Sequence, residues 1–232
     1  MSYRLVSIVL PVHRQADHIA SAVEEYESRL ASLGLPHETI LVANGPPDGT
    51  LEACQAMAAK HAAVRAVEEP AAGWGRAVRR GLREAGGDLL CYTNPARTSA
   101  ADLLLLVLYA IANPGVVVKA NRKIRESWRR RLGSLLYNLQ CRALFDLSNW
   151  DINGTPKFFP RSFSKLLSLT RTDDLIDAEF SMVCRREGYP MLEVPIFSTR
   201  RHGGRSTMNL PAAFRLYWGA YELSREAKRH AS

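Results

Sequence analysis

Two stretches decide the fold: Ser7-Ile-Val-Leu-Pro-Val-His13 and Glu38-Thr-Ile-Leu-Val-Ala-Asn-Gly-Pro-Pro-Asp-Gly-Thr50. Each is a short apolar run closed by turn-forming residues. That pattern describes a strand buried on both faces which delivers a loop to the carboxyl edge of a parallel sheet. Ligands of open α/β sheets bind at this edge.

Helical periodicity fills the space between the strands. Ile19, Val23, Tyr26 and Leu30 recur at steps of three and four within Ala16 to Leu33, and Gly34-Leu-Pro36 stops that helix. Asp48 is placed to cap a helix over Leu51 to His61, and Val64 to Val67 reads as a third strand. A helix from Gly73 to Arg83 and a strand from Leu89 to Tyr92 come next. Alternation of this kind predicts a doubly wound, mostly parallel sheet flanked by helices. Farther on, strands are expected at Val116 to Lys119, Pro156 to Phe159 and Met191 to Pro195. Helices are expected at about Arg125 to Phe145, Asp174 to Gly188 and Pro211 to His230, with Asn153-Gly-Thr155 as a turn.

With 232 residues, 47% of them hydrophobic, the chain can bury one substantial core, so a single domain is expected. Its 31 Lys and Arg against 23 Asp and Glu leave a formal charge of +8, which favours anionic partners. Cys54, Cys91, Cys141 and Cys184 show no paired spacing, so neither a zinc site nor a disulfide framework is indicated. No apolar stretch approaches the ~20 residues of a membrane span, and a cytoplasmic protein, either soluble or peripheral at a membrane surface, is expected. The segment Leu103 to Ala112 is the most apolar and reads as a core helix. On the last helix, Phe214, Tyr217, Trp218 and Tyr221 recur at helical spacing; core or dimer packing is the expected use, and an interfacial membrane helix is the other reading.

Pro11, Asn44, Gly45, Asp48, Gly49 and Thr50 fit the opening strand motifs of family 2 glycosyltransferases of the GT-A fold. Asp177-Ala-Glu179, Glu193-Val-Pro195 and Arg201-His-Gly-Gly-Arg-Ser206 resemble, in order and spacing, three later signatures of its dolichol- and polyprenyl-phosphate sugar synthase branch. The resemblance implies a GT-A domain over the whole chain, with residues 1–97 as the nucleotide-binding half and 98–232 as the acceptor-binding half. It implies inverting transfer of a sugar from a nucleoside-diphosphate donor to a polyprenyl phosphate or another lipid-linked or anionic acceptor.

By the same resemblance, Pro11, His13, Asn44, Asp48 and Asn94 surround the nucleotide, and Asp177 and Glu179 stand near the sugar as the catalytic carboxylates. Arg122, Arg130, Ser134, Arg201 and Ser206 hold phosphates, a task suited to the charged fork of arginine. Magnesium or manganese is usual in the family, yet Ala43 and Asn44 occupy one pair of aspartate positions, and Asn94-Pro95-Ala96 occupies the metal-binding motif. Hard divalent cations take oxygen ligands, so metal-independent chemistry is the expectation. The alternative is a catalytically silent relative that binds a nucleotide, lipid or protein. Nucleic acid is not an expected partner, since no recognised binding motif accompanies the basic residues.

Overall fold

The computed structural model describes residues 3–123, 128–197 and 210–229, without the side chains of 128–130, 210–213 and 228. Its elements are β1 (Val6–Val12), α1 (Ile19–Ala31), β2 (His37–Asn44), α2 (Thr50–Lys60), β3 (Val64–Glu69), α3 (Trp74–Glu84), β4 (Leu89–Tyr92) and α4 (Ala100–Ala112). After them come β5 (Val117–Arg122), α5 (Trp128–Phe145), β6 (Lys157–Pro160), α6 (Ile176–Arg186), β7 (Met191–Ile196) and α7 (Leu210–Arg229). The seven strands form one sheet in the order β3-β2-β1-β4-β6-β5-β7.

The expected mostly parallel sheet is present, with one departure from a purely doubly wound pattern. β6 runs antiparallel to both neighbours, pairing Tyr92 of β4 with Lys157 and Lys119 of β5 with the same Lys157. Its reversed direction brings the first residue of β6, rather than its last, to the carboxyl edge. Apolar spacing in the sequence reports a buried strand but carries no mark of its direction.

Period-two alternation along β1 divides the core. Ile8, Leu10 and Val12 face the cluster beneath α1, α2 and α4, while Val9 joins Ile40 and Val42 beneath α3 and α6. Close approach of α3 depends on Gly81, where an added Cβ would lie 2.1 Å from Val9 Cγ1. Ser99 starts α4 as a reciprocal cap: its Oγ accepts from Asp102 N at 3.0 Å and donates to Asp102 Oδ2 at 2.8 Å. The same role foreseen for Asp48 falls one residue early, because Gly49 is the N-cap of α2 while Asp48 Oδ1 accepts from Thr50 N at 3.1 Å.

A third cluster joins α5, α6 and α7 through Tyr137, Cys141, Ala178, Leu216, Ala220 and Leu223. Of the core and dimer uses expected for the aromatic residues of the last helix, core packing fits Tyr217 alone. Tyr217 is partly buried, whereas Phe214, Trp218 and Tyr221 point outward, because the small or aliphatic Leu216, Ala220 and Leu223 already fill the inner stripe. No described helix is long and apolar enough to cross a membrane.

Candidate functional site

The site is built where β1, β2 and β4 end and β6 begins. His13 sits just past β1, and its Nδ1 lies 2.7 Å from the Asn44 carbonyl oxygen at the end of β2. The approach requires Gly45, at φ +104°, since a Cβ there would stand 2.9 Å from the His13 ring. Pro11 lies inside β1 in register with Val42, and Asn44 is buried. Hydrogen bonds from Thr50 hold the Asp48 carboxyl below the usual carboxylate range. After β4, the Asn94 carboxamide oxygen accepts from Ala96 N at 3.0 Å, and its carbonyl accepts from Arg97 N and Thr98 N. The four residues His13, Asn44, Asp48 and Asn94 thus share one sheet edge.

Asp177, in the first turn of α6, reaches the same edge from above. Oδ1 accepts from the Tyr92 hydroxyl at 2.9 Å and from Lys157 Nζ, while Oδ2 accepts from Trp74 Nε1 at 3.1 Å. This one carboxylate ties the start of α3, the end of β4 and the start of β6 together, and only 4% of the residue is exposed. Burial drives the Lys157 pKa down to about 8 against the pull of Asp177. Burial and the Asp177 charge together push the Tyr92 phenol well above its ordinary value, which keeps it a donor.

Glu179 turns elsewhere. Its oxygens accept from Thr170 N at 2.9 and 3.1 Å, from Thr170 Oγ1 at 2.7 Å and from Arg171 N at 2.9 Å. The loop it fixes lies against α3, where Arg76 N donates to the Thr172 carbonyl at 3.0 Å and a Cβ on Gly75 would meet Arg171 O at 2.5 Å. Glu179 therefore positions the start of α3, and with it Trp74, rather than joining Asp177 in one carboxylate pair.

A second charged cluster lies beside the first. Arg122, the last residue of β5, makes a two-pronged contact with Asp151, Nε to Oδ2 at 2.8 Å and Nη2 to Oδ1 at 2.9 Å. Burial opposes the Arg122 charge, but Asp151 outweighs it and raises the pKa. Lys119, fully buried, donates to Glu193 Oε1 at 2.9 Å and to the Asp151 carbonyl. Burial works against the Glu193 carboxylate, and Lys119 with the Trp150 and Asp151 amides overcomes it, holding the group below its usual range. The turn through Asn153-Gly-Thr155 is present, closed by Gly154 N on the Asp151 carbonyl at 2.9 Å, and a Cβ at Gly154 would lie 2.0 Å from Ala120 O.

Of the remaining phosphate candidates, Ser134 is half-buried on α5. Arg201 and Ser206 lie outside the described residues, as does the Arg130 side chain. Lys157 and Asp151 are the residues that motif reading did not single out. Their signals are a lysine inside an apolar strand and an aspartate just before a glycine turn, each of which requires a buried partner.

An open sheet of this order, with nucleotide-type loops on its carboxyl edge and an inserted antiparallel strand, defines a GT-A glycosyltransferase. The chain belongs to glycosyl transferase family 2, whose family model matches residues 7–168. It is accordingly a glycosyltransferase. Comparison with curated proteins gives no significant match. Among solved structures, glucosyl-3-phosphoglycerate synthase from Mycobacterium tuberculosis, crystallised with Mn2+, uridine diphosphate and phosphoglyceric acid, is similar at 20% identity and a TM-score of 0.75, covering 95% of this chain and 78% of that one. The same enzyme with Mg2+ and uridine diphosphate aligns at 19% identity and TM-score 0.73, covering 95% and 79%. A further mycobacterial protein aligns at 21% identity and TM-score 0.74, covering 95% and 74%. At these identities the likeness is one of fold.

The two synthase structures contain a divalent cation, and the described residues here do not fit one. Ala43 and Ala96 are buried methyl groups without a donor oxygen, and the Asn94 oxygen is taken by Ala96 N. Among the described residues, no group of three His, Cys, Asp or Glu stands close enough to hold a metal. A hard cation wants several anionic oxygens, and these positions supply none.

Proposed function

We propose that this chain transfers a sugar from a nucleoside-diphosphate donor to a phosphate-bearing acceptor, either lipid-linked or small, without a divalent cation at the end of β4. The observation that carries the reading is the fully buried Lys157, which sits on Asp177 at the end of β4, two residues before the acid-poor Asn94–Ala96 turn. Lys157 and Asp177 form a buried ion pair beside that turn, so the charge of the departing diphosphate is assigned to the motif arginines in place of a metal.

In this scheme the acceptor oxygen attacks the anomeric carbon. A new C–O bond forms as the bond from that carbon to the diphosphate oxygen breaks, and the electron pair leaves with the diphosphate. An acceptor phosphate that attacks through its own oxygen arrives already ionised and needs no base, whereas a small acceptor that attacks through a hydroxyl gives up that proton to a base, the role the motif resemblance offers Asp177. The protein's work is positioning and charge stabilisation. His13, Asn44, Asp48 and Asn94 border the nucleotide, with Pro11 shaping β1 beneath it. Asp177, held by three donors, is an oriented acceptor for a sugar hydroxyl. Arg122, Ser134, Arg130, Arg201 and Ser206 are proposed for the phosphates, the last three on the strength of the motif resemblance. The polyprenyl-phosphate branch supplies the lipid-linked option and inversion at the anomeric carbon; the phosphoglycerate complexes of similar fold supply the small anionic option.

Thermal unfolding against a panel of nucleotides and nucleotide sugars, each with EDTA and with manganese, tests the reading. A ligand at one hundred times its Kd stabilises by about 2.7 kcal/mol. A nucleotide-selective shift that EDTA leaves intact is expected. A shift that demands manganese overturns the metal-free part. No shift with any donor overturns the transfer reading in favour of a silent binding protein, the alternative that Ala43 and Ala96 favour.

A further inference from the structure

Two neighbouring helices carry apolar side chains on the faces where a surface helix ordinarily carries polar ones. On α5, Leu132, Leu135, Leu136 and Leu139 recur at helical spacing and are between 45% and 50% exposed. On α7, Phe214, Trp218 and Tyr221 are 69%, 54% and 43% exposed, with the Phe214 and Trp218 rings stacked at 6.5 Å.

The two stripes form one surface. Gln140 Nε2 donates to the Tyr217 carbonyl at 3.0 Å and Ser224 Oγ to the Leu144 carbonyl at 3.5 Å, so the helices run side by side in the same direction. Around α5, the residues facing α7 (Gln140, Leu144) stand between the inner stripe (Cys141, Phe145) and the leucines. Around α7, Tyr217 and Ser224 stand between the inner stripe (Leu216, Leu223) and the aromatics, in the opposite rotational sense. For two parallel neighbours with 3.6 residues per turn, opposite senses place both outer stripes on the same side.

We propose that this α5–α7 face docks on an anionic lipid bilayer. Its chemistry selects that occupant. Tryptophan and tyrosine favour the headgroup boundary, and an apolar helical face buries itself there. Arg131, Arg215, Arg225 and Arg229 are exposed on the same two helices, against Glu222 and a Glu226 that already pairs with Arg171 at 2.5 Å. The chain as a whole carries +8. Anionic headgroups complement this balance, whereas a second copy of the chain would oppose cation to cation. Docking would hold the acceptor half against the bilayer; that use rests on the anionic-acceptor reading, while the docking itself does not.

The test is co-sedimentation of the whole chain with vesicles of phosphatidylcholine alone or mixed with phosphatidylglycerol, with light scattering for mass and nucleotide-induced thermal stabilisation read on the same samples. The chain should bind the mixed vesicles, less at high salt, and not the neutral ones. Leu135→Ser with Leu136→Ser, and Phe214→Ser with Trp218→Ser, should each bind about tenfold more weakly because apolar area drives interfacial binding. Leu105→Ser with Leu108→Ser, exposed residues on α4, should bind as the parent does. Absent binding, binding indifferent to the α5 and α7 changes, or an equal loss in the α4 control overturns the proposal. So does a doubled mass that the same substitutions halve, which would assign the face to a second copy. Lost docking with an intact nucleotide shift leaves the transfer reading standing.

Discussion

The first four strands and the last three solve the problem of a ligand edge in different ways. From β1 to β4 the sheet is parallel, its loops carry His13, Asn44, Asp48 and Asn94, and tight backbone approach does the shaping, as at Gly45 and Gly81. From β5 onward the shaping falls to buried ions: Arg122 with Asp151, Lys119 with Glu193, Lys157 with Asp177. The half whose motif positions carry Ala43 and Ala96 lies beside the half that holds two fully buried lysines and the partly exposed Arg122. Each of these cations is paired with a carboxylate, so the second half holds its charges as ion pairs.

Breaking the ionic half gives the largest effect. Asp151→Ala leaves the Arg122 fork and the Arg122 amide without their carboxylate, and removing one partner of a buried pair costs about 3–5 kcal/mol. Urea unfolding should show that loss; a change below about 1 kcal/mol would mean that water serves Arg122 equally well.

Lys157 allows a finer cut through pH. Its native pKa of about 8 lies below the ordinary 10.5. Below pH 8 both native and unfolded chains hold the proton and the burial cost is present in full. Between about 8 and 10.5 the unfolded chain holds more protons, so stability from this group rises with pH, by up to about 1.4 kcal/mol per unit. Cys54, Cys141 and Cys184, pushed up to about 12 by burial, act in the opposite direction above their ordinary 9.0. The stability difference between parent and Lys157→Met cancels the thiols, and it should climb in favour of the parent across that window. A flat difference would show that the ammonium is solvated.

The close-packed half is sharpened by Gly81→Ala. Its new methyl would overlap Val9 Cγ1, and overpacking of this kind costs about 1–3 kcal/mol. Chemical denaturation should register the loss while nucleotide stabilisation of the folded fraction persists. A neutral result would mean that α3 can slide away from β1.

Sequence periodicity located nearly every element, because apolar spacing is a local property of the chain. Orientation was less legible. The lysine within Lys157-Phe-Phe-Pro160 gained its meaning only from Asp177 on a distant helix, and nothing local announced that the strand carrying it would run backwards. The resemblance joined Asp177 and Glu179 by their spacing in one motif. The fold separates them, because one turns to Tyr92 and Lys157 while the other turns to the Thr170 amide. On α7 the helical repeat was plain, but which stripe faced inward depended on what α5 and α6 presented to it.

The reversed strand also changes which part of the gene writes the site. A parallel strand serves the edge only through the loop after it, and that loop must then feed the next helix at a fixed place. β6 offers its leading residue, so the stretch between α5 and Lys157, with Asp151 and the Gly154 turn, enters the sheet it serves only at its far end. Asp151, forked to Arg122, and Gly154, packed on the Ala120 carbonyl, fasten that stretch to β5, so a rewrite that keeps those two residues is the one that can leave the seven strands in register.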